Sequence, residues 1–159
     1  MHSYASIEEF ARFDTVTFYT LRGEENVLSE TDDFFERMGK EEFYKRQRNR
    51  LVQWIVEIGN DKWGANFELF RPERICVALP PKGKYLDENI DLRLYCHWVS
   101  KNVVILFNGG IKTANFAQDC PNVSYHFYNA QGWTKQLIEI GIETDGPAIT
   151  NIEELYLKY

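Results

Sequence analysis

Long apolar runs are missing from this chain. No unbroken run, Val103–Phe107 included, exceeds five residues, against the roughly 20 that a bilayer-crossing helix needs, so a membrane partner is not expected. The opening MHSYASIEEF has neither the basic nor the apolar region of a secretory signal. Cysteine is scarce. Cys76, Cys96 and Cys120 cannot all pair and none lies in a C-x-x-C motif; two fall in predicted strands, where a free thiol behaves as a small apolar side chain. A reducing cytoplasm is the expected compartment. His2, His97 and His126 are scattered with no pair at ligand spacing, so neither a metal site nor a cofactor is expected. No G-x-S-x-G nucleophile elbow occurs. The stretch Asn108-Gly-Gly-Ile-Lys-Thr113 fails as a phosphate loop, because Ile111 and Leu106 stand where that pattern needs glycine. Internal repeats and low-complexity tracts are absent.

What is present suits one domain with a real core: 159 residues, 44% hydrophobic and 15% aromatic. The net charge of −6 argues against a polyanionic partner until its distribution is considered. Residues 1–39 hold 3 basic and 9 acidic side chains, residues 40–120 hold 13 and 10, and residues 121–159 hold 2 and 5. A mildly basic middle between acidic ends is compatible with a nucleic-acid site.

Taken in order, Ser6-Ile-Glu-Glu9 has capping-box spacing and predicts a short helix near residues 7–12. Thr15–Arg22 is β-branched and aromatic and predicts a strand that Gly23 ends. Ser29–Asp33 opens a helix reaching about Met38. Phe43, Gln47, Leu51, Trp54, Ile55 and Ile58 form one face of a longer helix over 41–58, whose first half is crowded by Lys45, Arg46, Arg48 and Arg50. That crowd is either a solvated flank or a contact for RNA or a partner. Arg74–Leu79 predicts a strand with Ile75, Val77 and Leu79 on one face, stopped by Pro80-Pro81. Two strands follow, Leu92–Val99 and Asn102–Phe107, closed by a turn at Asn108-Gly109-Gly110. Val123, Phe127, Ala130, Trp133, Thr134, Leu137 and Ile138 fit a helical stripe, although VSYHFY alone also suits a strand. Thr150–Glu153 predicts a short final helix. The fold expected is α+β: strand, two helices, three-strand meander and C-terminal helix, with helices packed on one face of a small, mainly antiparallel sheet.

The other face is then bare, and the strand Leu92–Val99 says what it carries. Leu94, Cys96 and Trp98 point one way; Arg93, Tyr95 and His97 point the other. A guanidinium, a phenol and an imidazole at intervals of about 7 Å are able to bind phosphate and move a proton, unless they are an ordinary solvated face. Lys112, at the end of the next strand, is either a further cation or a solubilising turn lysine. His126 reads as helix surface or a satisfied histidine.

LRLYCHWVSKNVVILFNGGIKT, with the order of elements around it, resembles the RelE/ParE-like toxin superfamily of bacterial type II toxin–antitoxin systems. Arg93-Leu94-Tyr95 stands for that family's Arg-led strand, and Val103–Leu106 with Gly109–Thr113 for its V-V-I-L-x-x-G-G-x-K-T strand. The resemblance covers about residues 15–140 of a single domain over 1–159, leaving acidic extensions at either end. It implies a metal-independent endoribonuclease that cuts mRNA, free or on the ribosome, by attack of the ribose 2′-OH on the adjacent phosphate. On that reading Arg93 holds the phosphate, Lys112 adds a second cation, and His97 and Tyr95 move protons or stack a base. Arg74, Lys82, Lys84, Arg46 and Arg50 are the RNA-binding candidates, and a cognate antitoxin is the expected protein partner. A gyrase-type or other binder on the same scaffold, without catalysis, is the alternative; an enzyme of another kind using a pocket near Tyr95 and His97 is a third reading.

Overall fold

The computed structural model describes residues 3–82, 90–113 and 123–159. In chain order they form β1 (Tyr4–Arg12), β2 (Thr17–Gly23), α1 (Glu30–Met38), α2 (Glu42–Asn60), β3 (Arg71–Glu73), β4 (Cys76–Leu79), β5 (Leu92–Ser100), β6 (Val103–Ile111), α3 (Ser124–Ile140), β7 (Thr144–Asp145), β8 (Ala148–Ile149) and β9 (Tyr156–Lys158). Among these residues seven strands share one sheet, in the order β3-β4-β5-β6-β2-β1-β9, while β7 and β8 pair as a separate hairpin. The sheet is mixed and mostly antiparallel, because β2 and β6 run parallel. The class is α+β. No helix among the described residues is long and apolar enough to cross a membrane.

Helices cover both faces of the sheet, which corrects the expected single layer. Alternation along β2 and β6 shows why. Phe18, Val104 and Leu106 enter one core with Phe34 of α1 and Leu51 and Trp54 of α2, whereas Tyr19, Ile105 and Phe107 enter a second core with Phe127, Trp133 and Leu137 of α3. A strand buried on both faces reads as an unbroken apolar run, and Val103–Phe107 is such a run. Each fully buried Leu or Phe side chain contributes about 1.5–3 kcal/mol, so two cores are needed to house this many.

The helices follow their periodicity. Ser29 caps α1 by accepting from the Asp32 amide, and Gln47, Leu51, Trp54, Ile55 and Ile58 are buried along α2. Phe43, in the first turn, stays exposed and meets Tyr44 edge-on. In α3 the stripe is buried except Ile138, which is turned about 100° from Leu137 and faces solvent.

Four further expectations are corrected. Residues 7–12 belong to β1, where Ala5 and Ile7 point into the core and pairing with β2 and β9 outweighs the capping spacing. The expected strand over 74–79 is a hairpin, β3 and β4, whose turn holds Arg74 at φ 61° and leaves Ile75 half exposed. Asn108-Gly109-Gly110 continues β6 instead of ending it. The final stretch makes a 3₁₀ turn at Ile152–Glu154 and then β9, which pairs with β1. Cys76 and Cys96 are buried free thiols, both pushed up in pKa by burial; Cys120 lies outside the described residues.

Candidate functional site

On β5 the predicted row is covered. Tyr95 has no exposure and packs edge-on against Phe127 of α3, with ring centroids 5.9 Å apart. Arg93 and His97 flank it on the same face, each half-buried, but four residues of strand separate them by about 13 Å. His97 is held neutral, its pKa lowered to about 4 by burial. The bare face expected from the sequence therefore does not exist, and Tyr95 is sealed beneath α3.

Cations still gather beside Arg93, from a strand pair the sequence did not single out. Cross-strand partners share a face: Arg71 opposes Ala78, which opposes Tyr95, and Glu73 opposes Cys76. Arg71 and Glu73 thus stand on the α3 side, at the sheet edge. Glu73 lies within electrostatic reach of Lys112, Arg93 and Arg71; burial nonetheless leaves its carboxyl raised in pKa, the three cations opposing. Burial lowers Arg93, and its repulsion from Arg71 adds to that. Arg71 donates through Nε to the Pro80 carbonyl at 2.8 Å. Arg93 donates through Nη1 to the carbonyls of Ile90 and Leu92, both at 2.8 Å, while its buried Nε has no partner among the described residues. Arg74, at the hairpin turn, sets its guanidinium 5.7 Å from the Phe127 ring centroid. Of the other candidates, Lys82 lies just past β4, its amide donating to Leu69. Lys84 lies outside the described residues. Arg46 is exposed and Arg50 stacks over Trp54 at 4.1 Å; both belong to α2, across the sheet from Arg93.

A second constellation lies where β2 and β6 part. Their parallel pairing stops at Thr20 and Leu106; β2 leads to α1 on one face, β6 towards α3 on the other. Crevices of this kind, beyond the carboxyl ends of parallel strands whose connections diverge, are the usual ligand sites of open sheets. Here a cavity of about 590 Å³ opens. Asn108 sits at its base, aimed by a bulge: the β5–β6 register shifts between Leu94 and Cys96. Gly109 permits that bulge, since a Cβ there would stand 1.8 Å from the Arg93 carbonyl oxygen. Asn108 donates to Asp33 at 3.0 Å and to Glu30 at 3.4 Å, and accepts from Arg37 at 2.6 Å.

The neighbouring groups are tuned by these contacts. Burial raises the Glu30 carboxyl, although the Tyr159 hydroxyl and Asn108 donate to it. Burial acts on Asp33 in the same sense, but bonds from Asn108 and Arg37 outweigh it and its pKa falls. His126 is lowered to about 4 by burial and by the Arg37 charge, Asp33 opposing. Arg37 Nη2 lies 3.5 Å from His126 Nε2. Both Nη2 protons are taken by Asn108 Oδ1 and the Gly109 carbonyl, at 2.6 and 2.7 Å, and His126 Nδ1 is a buried atom with no partner among the described residues. Tyr159 stacks on Trp133 at 5.7 Å, an approach that Gly23 allows, since a Cβ there would fall 2.7 Å from the Tyr159 ring.

No family model, curated protein or solved structure matches the chain.

Glu30, Asp33, Arg37, Asn108, His126, Tyr159, Arg71 and Glu73 were not legible as site residues. Glu30 and Asp33 read as acidic residues suited to a helix N-terminus and Asn108 as a turn. One signal was available: Asn108 directly follows five apolar residues inside what proves to be a strand.

Proposed function

We propose that this protein is a toxin-type endoribonuclease of the RelE/ParE-like scaffold, working without a metal at the cluster of Arg71, Glu73, Arg93 and Lys112. The observation that carries the reading is the half-buried Glu73 carboxylate within electrostatic reach of three cations, one of which, Arg93, stands on the strand row that the family resemblance singles out. Two guanidinium groups that repel each other while partly desolvated are costly, and a phosphodiester relieves that cost. The element order over residues 17–140, in which a strand and two helices precede the paired strands and a helix, supports the scaffold.

In this reading Arg93 and Arg71 hold the scissile phosphate. Glu73 replaces the sealed Tyr95 and distant His97 as the base that takes the ribose 2′ proton; its raised pKa suits the task. The 2′ oxygen bonds to phosphorus, the bond to the 5′ oxygen breaks, and Lys112 faces the charge and proton demand of that leaving oxygen. A small antitoxin, encoded beside this chain and covering the same edge in the cytoplasm, is the expected partner.

Incubation with single-stranded RNA in excess chelator tests this. The wild type should give 2′,3′-cyclic phosphate ends. Glu73→Gln should lose at least about a hundredfold in rate while binding RNA within a few-fold of wild type, and Tyr95→Phe should cut normally. Undiminished cleavage by both Glu73→Gln and Arg93→Ala overturns the assignment. The sealing of Tyr95 favours one second reading, a non-catalytic binder on the same scaffold. Growth arrest on expression with RNA intact, and equal in the Arg93→Ala variant, selects it.

A further inference from the structure

The crevice between β2 and β6 is separate from the cation cluster, and its charge is of the opposite sign. Its volume of about 590 Å³ lies within the range of roughly 300–1,000 Å³ typical of small-ligand sites. Glu30 lines it and is only 9% exposed. Its two hydrogen-bond partners among the described residues, the Tyr159 hydroxyl and the Asn108 amide, are neutral. Arg37 is engaged elsewhere: its Nε goes to Asp33, and its Nη2 to Asn108 and the Gly109 carbonyl. A buried carboxylate without a bonded cation is costly, and burial raises the pKa of this one. Both Glu30 oxygens can accept a further bond, since each oxygen of a carboxylate has two lone pairs. Asp33 receives Asn108 and Arg37 on Oδ2 alone, which leaves Oδ1 able to accept. The Asn108 amide nitrogen already bridges the pair, at 3.4 Å to Glu30 and 3.0 Å to Asp33, so the two carboxylates stand within reach of a single nitrogen donor. Tyr125, 70% exposed, supplies an aromatic wall; the Trp133 face is taken by Tyr159. The rim repeats the sign. Exposed Glu24 and Glu25 precede the lining residue Asn26, and exposed Asp32 precedes Asp33, while Arg22 is bonded to Glu8.

We propose that this crevice binds a linear aliphatic polyamine, with one ammonium held by Glu30 and Asp33, the methylene chain along Tyr125 and a second ammonium among the rim carboxylates. An alkylammonium has three donors and no acceptor, which matches a base of carboxylate oxygens, and it is attracted to the face of an aromatic ring. A neutral ligand leaves Glu30 without a counter-charge. A metal ion suits the site less, because no group of three or more His, Cys, Asp or Glu among the described residues is placed to hold one. The proposal is independent of any nuclease activity, because none of its residues belongs to the Arg71–Lys112 cluster.

Calorimetric titration of the full chain with spermidine, putrescine, n-butylamine and magnesium at physiological ionic strength tests it, with the Tyr125 ring protons followed by NMR. Putrescine should bind about fivefold tighter than butylamine, which has the same carbon chain and one ammonium fewer. It should shift the Tyr125 resonances, and magnesium, of equal charge, should bind at least about tenfold more weakly. Glu30→Gln, which keeps the acceptor for Tyr159, should weaken putrescine by about tenfold or more. Tyr125→Ala, at an exposed position and therefore safe for folding, should weaken it about two- to fivefold. Arg93→Ala should leave it unchanged. Magnesium binding as tightly as putrescine, or butylamine binding as tightly, overturns the polyamine assignment, as does the absence of binding at millimolar spermidine. Putrescine binding that Glu30→Gln and Tyr125→Ala both leave intact overturns the location.

Discussion

Burial holds the imidazoles of His97 and His126 down at about 4, whereas in the unfolded chain a histidine titrates near 6.5. Between those values the unfolded state binds more protons, so stability rises with pH across the window and is lost as pH falls from about 6.5 towards 4. Allowing for solvent screening, each ring should cost about 1 to 2 kcal/mol by the acid end. Urea midpoints at pH 7, 5.5 and 4.5 should fall in step, and NMR should find both imidazoles neutral at pH 6. An imidazole that titrates near 6.5 in the native state would show that it is solvated rather than buried. Glu30 works in the opposite sense. Its raised pKa stabilises the fold below the ordinary carboxyl range, and that contribution is lost as pH rises through the folded value. Glu30→Gln keeps an acceptor for the Tyr159 hydroxyl and removes the buried charge. At pH 7 it should be neutral or stabilising by up to about 1 kcal/mol, and that gain should vanish below about pH 4 in denaturation curves.

At the scale of elements, the helices were the most legible part, because their apolar positions recur every three or four residues and few other interactions compete. Gln47 shows a limit of that logic. Its periodic position is correct, yet its role is polar: its Oε1 accepts from the Asp91 and Leu92 amides at 2.7 and 3.3 Å, tying α2 to the start of β5. Gln47→Ala would leave two amides without their acceptor and should cost about 1 to 3 kcal/mol in chemical denaturation. Strand pairing was harder to read, since partners come from far along the chain. Ser6–Glu9 fits a capping box in isolation, but pairing with β2 holds all four residues extended, and β9, some 150 residues away in sequence, pairs with Ser6 on the other side. Nothing local to Arg74 signals its left-handed turn, so Arg71 and Glu73 could not be placed on a strand beyond β4 at the sheet edge. Gly109 was legible as a special residue and misread as a turn. Its function is close approach between strands, and Gly109→Ala should cost about 2 kcal/mol or more, since the new methyl meets backbone and cannot be accommodated by a side-chain shift. A loss below about 0.5 kcal/mol would mean that the bulge relaxes freely.

For the whole molecule, the expected working face failed for a reason visible in composition. With Val103–Phe107 apolar at every position, a sheet covered on one side only would leave half of that strand in water, so α3 has to cover the second side. What survives of the site lies where that cover ends: at the β3 edge, where Arg71 and Glu73 stand, and at the crevice where β2 and β6 diverge. Charge follows the same division. The chain carries −6 overall, but Arg71, Arg93 and Lys112 against Glu73 leave a local excess of two positive charges. An RNA strand bound there releases counterions in proportion to the phosphates neutralised, with a slope of about −0.7 per contact in log affinity against log salt for single strands. Three cations give a slope near −2, so affinity should drop roughly 20-fold between 50 and 200 mM salt. Arg93→Ala should shorten the slope by about 0.7, and Arg46→Ala, on the opposite side of the sheet, should leave it unchanged. A slope that Arg46 controls and Arg93 does not would move RNA binding onto α2. A slope near zero would mean that the cation cluster meets no polyanion, leaving the protein-binding reading.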